Sequence, residues 1–364
     1  MKTCNIVLLT VFVTINMHAQ NFAFDNKYYT TISWDEFFKR LDANPNLIFF
    51  DIRTDGERAD TSQYTSYNQG KIKGALETDF ANFDKYYPEY LKLKNDTIYL
   101  YCSHSRRSRL LAKRLADSSF LNVVSINGGM SYFNSFPHQY RKAKSKYYSN
   151  NLNYKLVSPK EFKTALKNKN IQIIDVRPDS IYHGISLEEW ENSFGKINNV
   201  MHIPYDKIQN HLHLIDMSKE ILLFDNFSEY APKAVQILIE KGYKTNVLLF
   251  GLDNITTYLE STNRKFLQTK YRMITPTELL KKSHKKKTTI VDVRTPTEYQ
   301  SVDTISWKNV GRIKNAINIP LSEITKGRLE VRDYERQPWE ITRESTAFLS
   351  KNFGKHEELD MPQI

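Results

Sequence analysis

Short apolar runs alternate along this chain with longer segments in which apolar residues recur every three or four positions. The apolar runs are short, and each ends in a polar turn. Three of them follow a segment that begins with Ser or Thr and has Glu three residues later, a pattern typical of a helix N-terminus. Continuous apolar strands that alternate with helices predict a parallel sheet with helices on both faces. The three helix starts are Ser33, Ser158 and Thr275.

A strand that ends in Asp-x-Arg occurs three times. Its aspartates, Asp51, Asp175 and Asp292, are 124 and 117 residues apart. A Gly-basic-Ile motif follows each aspartate, at offsets of 19, 20 and 19 residues. Two motifs held in register three times indicate duplicated domains, because a period of this size is far longer than a solenoid repeat. The third unit lacks the later strands of the other two, so we expect it to be incomplete. The predicted units are residues 28–140, 154–262 and 271–364.

The first twenty residues have the layout of a secretory signal peptide. Lys2 is followed by a ten-residue apolar run, Ile6 to Ile15, and by Ala19 near a suitable cleavage point. The run is too short for a membrane span, which needs about 20 apolar residues. An uncleaved anchor is the less favoured alternative. We therefore expect residues 1–20 to be removed and the mature protein to be exported, periplasmic or secreted, without a transmembrane span.

Composition narrows the function classes. With 40% hydrophobic and 26% charged residues, the chain is neither disordered nor collagen-like. The formal net charge is +11, but the basic residues are scattered, and no nucleic-acid-binding motif is recognisable. We therefore expect no nucleic-acid partner. His202, His211 and His213 lack the regular spacing of metal ligands. We expect neither a metal nor another cofactor.

Cys102 is the one cysteine that remains after cleavage, since Cys4 belongs to the signal segment. It directly follows a predicted strand and precedes a predicted helix, Ser108 to Ala116. A short loop that leads into a helix N-terminus directs several backbone N–H groups at one point and stabilises an anion there. We expect this anion to be the Cys102 thiolate, which would then be nucleophilic. The alternative is a small, inert cysteine buried at a strand end. The catalytic interpretation requires that solutes reach the sulfur.

Together these features resemble the rhodanese-like family of sulfurtransferases. The resemblance lies in the Asp-x-Arg strand end, the Gly-x-Ile-x-Gly-Ala segment that starts at Gly70, the strand running into Cys102, and Gly128-Gly129-Met130 before an aromatic residue. It implies tandem α/β domains, each a parallel sheet with helices on both faces. It extends over residues 29–138 and 155–260, and over the first half of the unit in residues 272–320.

The resemblance also implies a reaction. Cys102 would take the outer sulfur of a small anionic donor, thiosulfate or a persulfide, and become a persulfide itself. A thiol or cyanide acceptor would then remove that sulfur, and a protein thiol is a further candidate acceptor. Loop amides would hold the persulfide, and basic loop residues would bind the donor anion. The substrate-binding residues so implied are Ser103, His104, Ser105, Arg106, Arg107 and Ser108.

Two further positions qualify this interpretation. Asp51 and Arg53 are expected to support the strand and the loop rather than touch substrate.

Phosphatase loops of the form Cys-x5-Arg place arginine six residues after the cysteine, where this chain has Ser108. Phosphoryl transfer is therefore the lesser enzymatic alternative.

The second and third units lack the nucleophile. Asp225 stands at the position that matches Cys102, its loop contains no Arg, and the third unit has no cysteine. A carboxylate cannot carry sulfane sulfur, so catalysis is expected in the first unit alone. Two other functions stay open at this stage. One is a non-catalytic binding or scaffold protein, and the other is a thiol-redox sensor that uses the Cys102 thiolate without turnover.

Overall fold

The computed structural model describes residues 28–269, 272–283, 288–304, 308 and 311–324. The predicted signal peptide, residues 1–20, and the end of the third unit, residues 325–364, lie outside this part of the chain. Among the described helices, none is both long and apolar enough to cross a membrane.

The first unit is built on a five-stranded sheet in which all neighbouring strands are parallel, in the order β1-β6-β5-β2-β4. A short antiparallel pair, β3 with β7, lies beside it. The strands are β1 (Thr30–Ile32), β2 (Ile48–Asp51), β3 (Lys71–Ile72), β4 (Leu76–Glu77), β5 (Thr97–Tyr101), β6 (Asn122–Ile126) and β7 (Tyr148–Ser149). The helices are α1 (Trp34–Ala43), α2 (Asp55–Ala59), α3 (Phe83–Leu91), α4 (Arg106–Asp117), α5 (Gly129–Ser135) and α6 (Arg141–Tyr147).

The second unit repeats this topology. Its five parallel strands follow the order β11-β9-β12-β13-β8, and β10 pairs with β14 in an antiparallel sense. The strands are β8 (Lys155–Val157), β9 (Ile171–Asp175), β10 (Lys196–Ile197), β11 (Met201–His202), β12 (Glu220–Phe224), β13 (Thr245–Leu248) and β14 (Leu267–Gln268). The helices are α7 (Pro159–Ala165), α8 (Asp179–His183), α9 (Ala231–Glu240) and α10 (Gly251–Tyr258).

In its described residues the third unit contains the parallel strand pair that corresponds to β2 and β4. The elements are α11 (Pro276–Ser283), β15 (Val291–Asp292), α12 (Pro296–Gln300), β16 (Ile317–Asn318) and α13 (Leu321–Ile324). A small apolar cluster, with Ile319 and Ile324 at its centre, packs against this pair. The prediction of tandem α/β units with parallel sheets and flanking helices is confirmed.

The sequence signals at the helix starts act as predicted. The Ser33 hydroxyl accepts a hydrogen bond from the Glu36 N–H at 3.3 Å and so caps α1. Reciprocal bonds join Ser158 with Glu161 at the start of α7. Such caps satisfy backbone donors that the helix itself leaves unpaired.

The continuous apolar character of β5 follows from its position inside the sheet. Tyr99 and Tyr101 point into one core cluster together with Trp34, while Ile98 and Leu100 point into a second cluster on the opposite face. Both faces of the strand are therefore covered, so alternation of apolar and polar residues is absent.

The helix after Cys102 differs from the prediction. It begins at Arg106 and not at Ser108, so the prediction of its start was wrong by two residues. The reason is Ser105, whose left-handed backbone (φ 76°) turns the chain directly into the helix. Only three residues therefore separate Cys102 from α4.

Candidate active site

Cys102 lies at the carboxyl end of β5, between β2 and β6 in the sheet. In parallel sheets, ligand sites are found beyond this end of the strands, where loops lead into helix N-termini. The sulfur atom is therefore at the position in the fold that the sequence predicted.

The loop after Cys102 is closed by the start of α5. The Met130 and Ser131 N–H groups donate to the carbonyls of Cys102 and Ser103 at 3.0 and 2.9 Å. A Cβ atom on Gly129 would lie 2.4 Å from the Cys102 carbonyl oxygen, so only glycine permits this approach. The Ser105 hydroxyl contacts the Ile126 carbonyl. The loop is thus fixed to the end of the neighbouring strand.

Cys102 itself is nearly sealed from solvent. The residue is 1% exposed and packs with Phe50 and Leu111 in the core cluster on the α4 side. Its Sγ atom lies 3.8 Å from the Ser108 hydroxyl oxygen, which in turn lies 3.0 Å from that of Ser125. The alternative of an inert cysteine predicts this burial. It does not predict that the sulfur contacts a hydroxyl that is itself paired with a second hydroxyl. A donor can reach the sulfur only after the groups that cover it move.

Arg107 is engaged by a carboxylate. Its guanidinium binds both oxygens of Glu57 at 2.6 Å and also donates to the Ser103 hydroxyl at 3.0 Å. Burial alone would raise the pKa of Glu57, but the hydrogen bonds from Arg107 and from the Thr54 N–H outweigh it, and this pKa is lowered. In this arrangement Arg107 fastens the loop to α2. Donor-anion binding was predicted for Arg106 and Arg107 alike. In the structure Arg107 is engaged by Glu57, and Arg106 is exposed at the first position of α4.

The Asp-x-Arg motif forms a buried clamp. Arg53 binds Asp51 through two nitrogens at 2.9 and 2.7 Å and donates to the Gly70 carbonyl at 2.7 Å. The Tyr101 hydroxyl donates to the same aspartate at 2.8 Å. Burial opposes the charge of Arg53, but Asp51 overcomes this effect and raises the pKa of Arg53.

The same clamp occurs in the units that lack the cysteine. Arg177 binds Asp175 at 2.7 Å, and Arg294 binds Asp292 at 2.6 Å. The Asp–Arg pair is thus present with and without a sulfur atom. Arg53 and Arg294 also donate to the glycine carbonyls of the Gly-basic-Ile segments, whereas Arg177 donates to the Asn226 side chain. This geometry agrees with the supporting role expected for Asp51 and Arg53.

His104 lies at the boundary between the first two units. Its ring is 5.8 Å from that of Tyr67 and 4.8 Å from that of Phe250, which belongs to the second unit. The ring reaches solvent, yet the protein around it removes enough water to lower the pKa of His104 to about 4, and the positive charge of Arg107 acts in the same direction. His104 is therefore neutral at pH 7 and adds no charge for an anionic donor.

The second unit shows what this type of loop binds. The Asp225 carboxylate accepts hydrogen bonds from four backbone N–H groups that follow it in the chain. The donors are the amides of Phe227 at 2.9 Å, Ser228, Tyr230 at 2.5 Å and Ala231 at 2.8 Å. Four donors aimed at one carboxyl group make a cradle that this unit fills with its own side chain, although burial outweighs these hydrogen bonds and raises the pKa of Asp225.

The two loops share their backbone path. Ser228 is the third residue after Asp225, as Ser105 is the third after Cys102, and it is left-handed, with φ 60°. The Leu252 N–H donates to the Asp225 carbonyl at 2.9 Å, as Met130 does to Cys102. We therefore expect the matching amides of the first loop, two, three, five and six residues after Cys102, to face the sulfur.

The first two units also touch beside the loop. The Thr65 hydroxyl donates to the Ser228 carbonyl at 2.9 Å, and Asn254 bonds the Ser135 hydroxyl at 3.0 Å. The ring of Tyr258 lies 5.0 Å from that of Phe136. The second unit thus packs on the side of the first that carries His104.

Sequence reasoning missed two residues of this site. Glu57 was visible as a glutamate three residues after Thr54, but that signal indicates a helix cap, and the residue serves as one. Ser125 was visible as a polar residue inside an apolar strand. Among the described residues, no group of three or more metal-ligating side chains occurs.

Comparison with known proteins identifies the family. The sequence profile of the rhodanese-like domain matches residues 33–135, 158–254 and 275–357, which together make up well over half of the chain. The chain therefore belongs to the rhodanese-like family, whose general chemistry is sulfur transfer.

Solved structures add similarities at low identity, and no curated protein matches the chain. A rhodanese-like domain protein from Staphylococcus aureus is 24% identical, covers 28% of this chain and 90% of its own, and has a TM-score of 0.24. A thiosulfate sulfurtransferase from Pseudomonas aeruginosa is 13% identical, covers 82% of this chain and 59% of its own, and has a TM-score of 0.25. EanB in complex with hercynine is 15% identical, covers 81% of this chain and 80% of its own, and has a TM-score of 0.30.

Removal of the Glu57 charge should loosen the loop. In Glu57→Gln the buried charge pair with Arg107 is lost, and the free energy of unfolding should fall by about 2–3 kcal/mol, because one partner of a buried pair is left unmatched. Urea unfolding measures the change. Glu89→Gln is the control, since its pair with Lys92 is exposed and worth at most about 1 kcal/mol. Equal effects of the two substitutions would contradict the assigned role of Glu57.

His104 should titrate well below the ordinary histidine value of 6.5. Because folding favours its neutral form, the ring should take up a proton only as the pH approaches about 4. An NMR titration of the ring protons, assigned through His104→Gln, measures the midpoint. A midpoint at or above 6.5 would show that the ring is solvated like a free side chain.

Proposed function

We propose that this protein is a sulfurtransferase in which Cys102 carries sulfane sulfur from a small anionic donor to a nucleophilic acceptor. The observation that supports this most directly is the cradle around Asp225. A loop with the same left-handed third residue holds a carboxyl group there with four amides. In the first unit the same path surrounds a cysteine, whose thiolate and persulfide are both anions.

The reaction proceeds in two balanced steps. The Cys102 thiolate attacks the outer sulfur of thiosulfate, a new S–S bond forms, and the old one breaks with its electron pair leaving on sulfite. A cyanide ion or an acceptor thiolate then attacks the outer sulfur of the Cys102 persulfide. This step releases thiocyanate or the acceptor persulfide and returns the Cys102 thiolate, so the protein undergoes no net redox change.

The loop side chains divide the remaining work. Arg106, exposed at the start of α4, attracts the donor anion together with the positive end of the helix. Arg107 holds the loop through Glu57. The amides of His104, Ser105, Arg107 and Ser108 hold the charge on the sulfur, as their counterparts hold Asp225. Because Cys102 is 1% exposed, sulfur transfer requires that the loop open locally before each step.

A binding protein without turnover is the second candidate. The burial of Cys102 and the self-filled cradle of Asp225 both favour it. In that case the loops would serve as shaped surfaces between the first two units and Cys102 would be part of the core.

We further propose that the protein acts after export, because residues 1–20 have the layout of a signal peptide. The N-terminal sequence of the protein isolated from its source tests this point. An N-terminus that retains residues 1–20 would contradict cleavage.

A mass measurement tests the sulfur-transfer proposal. After incubation of the purified protein with thiosulfate and removal of excess donor, the intact mass should rise by one sulfur atom and return to its starting value with cyanide. The added sulfur should map to the peptide that contains Cys102, and Cys102→Ser should show no gain there. Asp225→Asn is the matched control, since it alters the second cradle and leaves the sulfur in place.

The binding alternative predicts a different result. Wild-type protein would show no gain in mass with thiosulfate or with a persulfide donor, although it is folded by circular dichroism. That outcome would refute the proposed function.

A further inference from the structure

Ser125 places a hydroxyl group in the middle of a buried strand. It lies on β6 between Val124 and Ile126, and its residue is 0% exposed. A buried hydroxyl without a partner is destabilising. Ser125 has one partner in the structure, the Ser108 hydroxyl at 3.0 Å. Ser108 is also the side chain that contacts the Cys102 sulfur.

The protons in the chain of hydrogen bonds that runs from Cys102 through Ser108 to Ser125 can be counted. The Ser108 oxygen lies 3.8 Å from Cys102 Sγ, 3.1 Å from the Ser105 carbonyl oxygen and 3.0 Å from the Ser125 oxygen. A serine hydroxyl has one proton to donate and two lone pairs that accept. The carbonyl can only accept, so in the thiol state the Ser108 proton points to Ser105. The Cys102 S–H and the Ser125 O–H then donate to the Ser108 oxygen.

Ionisation of the sulfur reverses one of these bonds. A thiolate or a persulfide anion only accepts hydrogen bonds, so the Ser108 proton must rotate from the Ser105 carbonyl to the sulfur. Ser125 goes on donating to Ser108 in both states. A hydroxyl that accepts a hydrogen bond becomes a better donor, because neighbouring bonds in a chain polarise one another.

The second unit supplies an internal comparison. Ala231 lies six residues after Asp225, as Ser108 does after Cys102. Val247 is opposite Leu223 in the sheet, just as Ser125 is opposite Leu100. Both hydroxyls are therefore absent where the sulfur is absent, although the loop path is retained. The hydroxyl pair accompanies the cysteine and not the loop.

We propose that Ser125 is a positioning residue for Cys102: by donating to Ser108, it directs the Ser108 proton onto the ionised sulfur. This inference rests on the proposed role of Cys102 as the sulfur carrier. The charged and titratable groups around the loop are the Arg107–Glu57 pair, Arg106, Arg109, Arg53 and neutral His104. The hydrogen bonds of Arg107 go to Glu57 and Ser103, and those of Arg53 go to Asp51, Glu57 and Gly70. A substitution at Ser125 therefore changes the hydroxyl chain and leaves the charges in place.

The test compares two isosteric variants of the full chain. Ser125→Thr keeps the hydroxyl, and Ser125→Val replaces it with a methyl group of the same shape. The measurement is the rate of Cys102 alkylation by iodoacetamide across a pH series, read by peptide mass spectrometry so that Cys4 is counted separately. At pH 7 we expect Ser125→Val to react about twofold more slowly than Ser125→Thr, since Ser125 strengthens the Ser108 bond to the sulfur only by polarising it. The pH of half-maximal rate should rise in the same variant.

A merely structural Ser125 gives a different outcome. If Ser125→Val and Ser125→Thr have equal alkylation profiles, the hydroxyl serves packing alone and the inference is overturned, whether or not the thermal midpoints of the two variants differ. Should Ser125→Val fail to fold, Ser125→Ala compared with wild type answers the same question, because the smaller side chain fits the same space.

Alkylation needs no sulfur donor, so the two proposals can fail separately. If Ser125→Val is alkylated more slowly than Ser125→Thr as expected, but wild type forms no persulfide, sulfur transfer is refuted and the role of Ser125 is retained. A persulfide in wild type together with identical alkylation profiles would refute the role of Ser125 alone.

Discussion

The structure depends on how a short loop closes at the end of the central strand of each complete unit. Three residues separate Cys102 from its helix and five separate Asp225 from its helix, and the third residue of each loop is left-handed. The helix after the last strand donates two N–H groups to the loop carbonyls from the other side. Backbone donors are thereby directed at one side chain. The chemistry of each loop depends on the side chain that these donors surround, which is Cys102 in the first unit and Asp225 in the second.

Around this loop, charge pairs fix the surroundings rather than contact a substrate. The Asp51–Arg53 clamp and its two counterparts fix a strand end, and in the first and third units they also bind the Gly-basic-Ile segment that follows. The Arg107–Glu57 pair has no counterpart in the second unit, where the matching positions are Tyr230 and Ile181. A buried pair is not in itself a large source of stability, but it restricts the geometry of what it joins. The pair that accompanies the cysteine therefore makes its loop more rigid.

Much of the fold could be predicted from the sequence because it is encoded locally. Apolar runs, caps such as Ser158 with Glu161, and the repeated Asp-x-Arg end define strands and helix starts within a few residues of chain. The start of α4 was misplaced because Ser105 adopts a left-handed conformation that usually indicates glycine. The partner of Arg107 was missed because Glu57 is 50 residues away. Ser125 and its contact with Ser108 depend on which strands are neighbours, and a single sequence does not contain that information.

The cradle of the second unit has a consequence for how the first two units work together. Its occupant is covalently attached, so its local concentration is constant and no change in solute composition can empty it. In the proposed reaction the outer sulfur on Cys102 arrives and departs by chemistry. The second loop would then keep one filled shape while the first fills and empties, and the bond from Thr65 to Ser228 would hold the first unit against that constant surface.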